Sequence, residues 1–308
     1  MGSFVLTIGD SINSTFYDFD VAIFKFFAAM QNGFFTVLAK VFTTLGDEAF
    51  VIPMIIFAVA LMFFKKTRKY GFALCFAIIA GTLITNVLVK PAVLRIRPYN
   101  TLQDIDWYMQ AYFGAGTLSE SDYSFPSGHT TAAFEMATAL FLCFKSDKKK
   151  IAWLFPVLAL CTMGSRVYLM VHYATDVIGG LIVGICAGLI GYFLSKLCMY
   201  LIENKKPFTM LQEVDLAKFK PFKWTEGKGG KIAIAVVVVA LFCIGFIPSL
   251  SEGGDEAIRC AYVGEDYDCY NEAKVDDEHY PPINGEYYCK IHYNQLRDAA
   301  AENSDTNE

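Results

Sequence analysis

Between Ser165 and Asp176 an arginine, a histidine and an aspartate interrupt a stretch that otherwise reads as membrane. A charged side chain at a helix centre costs roughly 2.5–3.5 kcal/mol on insertion scales, so such residues are kept for a reason. His172 and Asp176 are four apart, which on a helix puts them on one face. An aspartate that holds a histidine ring prepares it as a nucleophile or base. Two further clusters carry complementary chemistry. Lys90 and Arg97 lie seven apart, two helical turns, and with Arg166 they supply fixed positive charge suited to a dianionic phosphoryl group. Pro126-Ser127-Gly128-His129 opens a helix whose free N–H groups and dipole favour an anion, and Gly128 lets that backbone approach a ligand. Two histidines then complete a nucleophile-plus-acid pair, one attacking phosphorus and the other protonating the leaving oxygen. No cluster has the carboxylate count of a magnesium site, so the expected chemistry uses no metal and no cofactor.

The elements that must position these groups are membrane helices. The 308 residues are 55% hydrophobic, carry 27 phenylalanines and have a positive mean hydropathy, which excludes an ordinary soluble domain. The net charge of -5 is segregated: residues 251–308 are strongly acidic, and the remainder is basic. Six apolar runs are long enough to span: Ala49–Phe64, Gly71–Val89, His129–Phe144, Ile151–Val171, Val177–Leu201 and Ile232–Leu250. The expected fold is therefore an all-α integral membrane bundle of about six transmembrane helices, a five-helix core plus one C-terminal span. Lysine-rich connections after the first, third and fifth runs are cytoplasmic by the positive-inside rule. All three chemical clusters, and the acidic tail, then face outside. The expected organisation is an N-terminal interfacial amphipathic segment (1–48), the core (49–201), a basic cytoplasmic connection (202–231), the extra span (232–250) and an acidic extracytoplasmic tail (251–308). Within the first segment, Phe19–Leu45 lies on the membrane in one reading and spans it in the other. No cleavable signal peptide is expected, since the N-terminus lacks a basic region.

Lys90-x6-Arg97-Pro98, Pro126-Ser127-Gly128-His129 and Ser165-Arg166-x5-His172-x3-Asp176 resemble the three signature motifs of the type 2 phosphatidic acid phosphatase superfamily, which includes bacterial acid phosphatases and vanadium haloperoxidases. The resemblance covers roughly residues 20–201. It implies a phospho-histidine mechanism with His172 as nucleophile, Asp176 orienting it and His129 as general acid. It also implies that Lys90, Arg97, Ser127, Gly128 and Arg166 bind the phosphoryl oxygens. The expected activity is that of a membrane lipid phosphatase acting at the outer face of the plasma membrane on a lipid monoester or diphosphate. The five-span core is similar to small enzymes that dephosphorylate undecaprenyl diphosphate; phosphatidylglycerophosphate and phosphatidic acid are the alternative substrates. The partners expected are a lipid phosphate and the bilayer, with no nucleic acid; oligomeric state is left open. The reading from another class is a catalytically silent lipid-phosphate scaffold or a transporter, against which the intact histidines and the lack of a repeat argue.

Other polar residues receive blander expectations. Arg95 lies outside the motif and reads as a headgroup contact. Glu135, in the third run, reads as a buried polar contact or a gate. The acidic, aromatic connection Tyr99–Tyr123 reads as a cover over the site that selects among substrates. Cys260, Cys269 and Cys289 read as a disulfide plus one thiol, or as free thiols, because their spacing fits no zinc pattern.

Overall fold

The computed structural model describes residues 7–225, 227–251, 259–263, 269–271, 273, 279–283 and 285–305. Among these described residues twelve α-helices follow one another: α1 (Ile8–Ala29), α2 (Gly33–Thr43), α3 (Glu48–Met62), α4 (Arg68–Thr82), α5 (Lys90–Val93), α6 (Pro98–Thr101), α7 (Asp106–Ala115), α8 (Gly128–Ser146), α9 (Leu154–Tyr168), α10 (Ala174–Asn204), α11 (Lys228–Ser251) and α12 (Lys290–Asp305). No strand occurs among the described residues, only isolated bridges such as that between Ile283 and Glu286.

Among the described residues, three continuous helical runs are long and apolar enough to cross a membrane: Arg68–Thr101, Lys150–Tyr168 and Ala174–Asn204. The pair Gly33–Gly46 and Glu48–Met62, bent by 42°, makes a fourth if counted as one span. The sequence instead assigned the first half of that pair to an interfacial segment and began the first span at Ala49. The bend has a local cause. Asp47 is extended and its side chain accepts from the Ala49 N–H at 2.8 Å, starting a fresh helix. The third expected span, α8, is not among the three; it is more polar and is enclosed by α4, α9 and α10.

The centre of the bundle is α10, which packs along both α4 and α8. Its glycines permit this approach. A Cβ on Gly180 would stand 2.7 Å from the Ser127 carbonyl oxygen, and one on Gly191 would stand 2.4 Å from that of Ala73. Small residues at such contacts let membrane helices pack backbone to backbone. The helix that begins as α4 widens into a π-helical stretch, Leu83–Val89, just before Lys90-Pro91. Proline lacks an N–H and crowds the carbonyl four residues back, and a π turn relieves that clash. At Leu94 the chain turns left-handed (φ 56°), and the helix ends. Lys90 and Arg97 therefore do not share a helix face, as their spacing suggested; a sharp turn brings them together instead.

The N-terminal helix is also more than a surface element. α1 packs against α7, α9 and α10 and buries Asp20 and Phe24. Phe24 sits edge-on to Tyr108, with ring centroids 5.1 Å apart. α1 thus closes one side of the region where the motifs meet.

Candidate active site

The turn between α9 and α10 presents His172. Met170 takes a left-handed conformation (φ 60°) there, and the Tyr108 hydroxyl donates to the Met170 carbonyl. Asp176 lies one turn into α10, so the four-residue spacing works across a helix N-terminus rather than along a continuous helix. Both side chains are fully buried. His172 Nδ1 lies 3.4 Å from Asp176 Oδ2, and Nε2 lies 3.1 Å from Arg97 Nη1. An arginine nitrogen only donates, so Nε2 is the acceptor and Nδ1 carries the proton towards Asp176. The ring is held as the tautomer whose Nε2 lone pair is available. Burial, reinforced by the Arg97 charge, pulls the His172 pKa down from the ordinary histidine range to about 4, so the ring is neutral near pH 7.

Asp176 is itself locked in place. Its Oδ2 accepts from the Tyr173 N–H at 3.0 Å and from the Ser124 hydroxyl, and its Oδ1 accepts from Arg95 Nη1 at 2.6 Å. Arg95 is therefore no headgroup contact. It is fully buried, pairs with Asp20 of α1 at 2.8 Å as well as with Asp176, and stacks over the Tyr173 ring at 3.8 Å. Thr175 joins the cluster through its N–H and hydroxyl, both donated to Asp20. Two carboxylates share one guanidinium here, which satisfies charges that neither could carry alone in a buried position.

The second half of the site is a ring of cations around two carboxylates from the loop before α8. Arg97 Nη2 pairs with both Glu120 and Asp122, Lys90 pairs with Asp122, and Arg166 pairs with Glu120. His129 Nδ1 stands 3.7 Å from Glu120 Oε1, and its Nε2 stands 3.7 Å from Asp47 Oδ2. Burial opposes ionisation of Glu120, but the Arg97 and then the Arg166 guanidinium outweigh it and hold the carboxyl well below its usual range. Asp122 is drawn to about 2, against its burial, by Lys90 and then Arg97. Both are anions at any ordinary pH. Arg166 also donates from Nη1 to the Thr43 hydroxyl at 2.7 Å, while its buried Nε has no hydrogen-bond partner among the described residues.

Ser127 and Gly128 stand at the N-terminus of α8. The Ser127 hydroxyl is buried and accepts from the Thr130 N–H at 3.4 Å and the Thr130 hydroxyl at 3.1 Å, so it serves as the helix cap. Gly128 faces Lys90, whose Nζ would lie 3.7 Å from an added Cβ. The structure thus gathers Lys90, Gly128, His129 and Arg166 around one cavity, whereas Arg97 and His172 are buried behind its wall, Arg97 pairing with the Glu120 and Asp122 that line it. A cavity of about 1200 Å³ opens from this polar floor. Its far wall is apolar, with Val51, Ile52, Ile55 and Ile78, and Glu135 lies along it with one carboxyl oxygen unpartnered among the described residues. Part of its rim comes from the tail, through Arg259, Tyr270, Lys290 and Asn294.

Sequence reasoning missed Asp20, Arg95, Ser124, Glu120 and Asp122. Asp20 had a signal: it is an acid four residues before Phe24 on an otherwise apolar helix face. The two loop acids had none beyond the acidity of their connection, because only folding carries that loop back onto Arg97.

A neutral histidine backed by a buried carboxylate, beside clustered guanidinium groups at the end of a membrane helix bundle, defines a class of membrane phosphoryl-transfer protein. Residues 70–207 match the PAP2 superfamily, and the chain belongs to that family. It is 33% identical to phosphatidylglycerophosphatase B of Bacillus subtilis over 185 residues, covering 58% of this chain and 81% of that one. It is 30% identical over 175 residues to a lipid A 4'-phosphatase of Porphyromonas gingivalis, covering 56% and 67%. It is also 29% identical over 171 residues to an undecaprenyl-diphosphatase of Sulfolobus acidocaldarius, covering 54% and 73%. The protein is a multi-pass membrane enzyme, a hydrolase of phosphoester or diphosphate bonds.

Proposed function

We propose that the chain hydrolyses a lipid phosphate through a phospho-histidine intermediate. His172 Nε2 attacks phosphorus, the P–O bond to the lipid breaks, and His129 gives its proton to the departing oxygen. Water then attacks phosphorus, giving its proton to His129 as the P–N bond to His172 breaks, which releases phosphate and restores His172. Asp176 holds the Nδ1–H tautomer throughout and stabilises the charge that develops on the ring. Lys90, Arg97 and Arg166, with the backbone at Gly128, bind the phosphoryl oxygens; Ser127 contributes by capping α8.

The observation that carries this reading is the seat of the Glu120 carboxylate. It is an anion held by two guanidinium groups, with His129 at 3.7 Å and with Arg97 also touching His172 Nε2. A phosphoryl group fits the same charges, between a nucleophile on one side and an acid on the other. The apolar wall of the cavity suits a long hydrocarbon chain. Undecaprenyl diphosphate is the substrate we favour, with the site on the outer face of the plasma membrane. Relatives named for phosphatidylglycerophosphate and lipid A keep those headgroups as the alternatives.

The test is phosphate release by the detergent-solubilised full chain, without added magnesium, over a panel of lipid phosphates. His172→Ala should abolish release, and quenched wild-type enzyme should carry an acid-labile phosphate that this variant lacks. Lipid binding with no release from any substrate would instead identify a silent scaffold, and a magnesium requirement would overturn the chemistry proposed.

A further inference from the structure

The tail beyond α11 brings together four side chains that the sequence kept apart. Cys260, Cys269, Cys289 and His292 are all buried, and one donor atom from each lies within 4.8 Å of all the others. No disulfide joins the three cysteines, which leaves the free thiols that were one of the two expectations. Cys269 Sγ stands 3.9 Å from Cys289 Sγ, while His292 Nδ1 stands 3.4 Å from Cys260 Sγ and 3.3 Å from Cys289 Sγ. A zinc ion with Zn–S near 2.3 Å and Zn–N near 2.0–2.1 Å has tetrahedral edges of about 3.8 Å (S···S) and about 3.5 Å (S···N). The observed separations are those edges to within a few tenths of an ångström.

We propose that Cys260, Cys269, Cys289 and His292 form a structural zinc site that fixes the tail over the mouth of the catalytic cavity. Three thiolates and one imidazole in a closed tetrahedral set select zinc over the hard cations that prefer oxygen ligands. The surroundings are built as a ligand support. The Asn271 side-chain amide donates to Cys289 Sγ at 3.5 Å, and the His292 ring lies flat on Tyr262, centroids 3.8 Å apart and planes within 3°. The Cys260 N–H donates to the Asn271 carbonyl at 3.0 Å, and the Cys269 N–H donates to that of Tyr262 at 3.1 Å. Cys289 precedes α12 and His292 lies in its first turn, so a three-residue spacing turns both donors inward. The apolar cluster here consists of the three cysteines and Ile291 with partly buried tyrosines. So small a core needs a covalent or metal staple to hold a fold.

The site also reaches the phosphatase core. Asn271, which touches Cys289, accepts through Oδ1 from the Tyr99 hydroxyl and the Asn100 amide, both at 3.0 Å. The Tyr99 hydroxyl in turn accepts from the Glu120 N–H at 3.1 Å. The sequence missed this set because His292 follows Cys289 by three residues whereas Cys260 and Cys269 lie twenty or more residues away. That is not the paired spacing by which zinc fingers are recognised.

The experiment measures metal in the full chain, purified under reducing conditions without chelator, by elemental analysis. About one zinc per chain is expected, as is tight for a closed thiolate site. Cys289→Ser and His292→Ala should each lower that content several-fold, and Cys161→Ser should leave it unchanged. Cobalt substituted into the wild-type chain should give the visible absorption of tetrahedral thiolate coordination, a reading that stands even if a variant fails to fold. Zinc absent from wild-type protein supplied with it, zinc retained in both variants, or a disulfide between any two of the three cysteines by mass analysis would each overturn the proposal. None of these readouts depends on phosphate release, so the proposal fails or stands separately from the catalytic one.

Discussion

Glu120→Gln should make the enzyme bind its substrate more tightly. The Glu120 carboxylate is paired with Arg97 and Arg166 where we place the phosphoryl group, so an incoming phosphate must displace it. Glutamine keeps the side chain's size and one acceptor oxygen but removes the charge. Two hydrogen bonds to charged groups contribute about 1.5–3 kcal/mol each. The carboxylate side chain is 25% exposed, and solvent screening reduces that sum by about half, to roughly 1.5–3 kcal/mol. Removing this competitor should lower KM, and the inhibition constant for inorganic phosphate, by about 10- to 100-fold, since each 1.4 kcal/mol is tenfold. The assay is initial-rate phosphate release in detergent with lipid phosphate varied, repeated with inorganic phosphate as competitor. An unchanged or raised KM, with a fall in kcat alone, would show that Glu120 serves the chemistry and does not compete with the substrate. It would refute the placement of the phosphoryl site.

Two more outcomes follow from the buried charges. Arg95→Met leaves Asp20 and Asp176 buried without their shared cation and should destabilise the protein by about 3–5 kcal/mol; Asp20→Asn, which leaves the Arg95–Asp176 pair, should cost clearly less. Thermal unfolding in detergent reads both, and equal effects would refute the shared-cation account. His172 has a second, pH-dependent signature. The unfolded chain takes up a histidine proton near pH 6.5 and the folded site only near 4, so unfolding is favoured as pH falls between those values. This contribution is absent above about 6.5. The acid limb of kcat/KM, which reports the free enzyme, should therefore fall well below pH 6.5. Glu120→Gln should move it lower still, since the Glu120 charge raises the His172 pKa. A limb at the ordinary histidine value would refute the buried, neutral His172.

Much of the site was legible in the residues themselves. Charged side chains are so costly in apolar stretches that Lys90, Arg97, Arg166, His172 and Asp176 stood out by type and spacing alone, and the positive-inside rule brought their clusters to one face. The helical, membrane-spanning character followed from run length and hydropathy, which depend on local composition. What the sequence could not carry were contacts between distant segments. Arg95 looked like a surface residue because nothing near it in the chain shows that Asp20, some 75 positions away, meets it in the interior. Glu120 and Asp122 looked like ordinary loop acids until the fold laid that loop across three cations. Lys90 and Arg97 converge through a left-handed turn at Leu94 that their seven-residue spacing did not reveal. The tail shows the same division: its cysteines were countable, but His292 joins them only in three dimensions. Local composition determines which residues are expensive enough to matter, whereas only tertiary packing decides which charge each one meets.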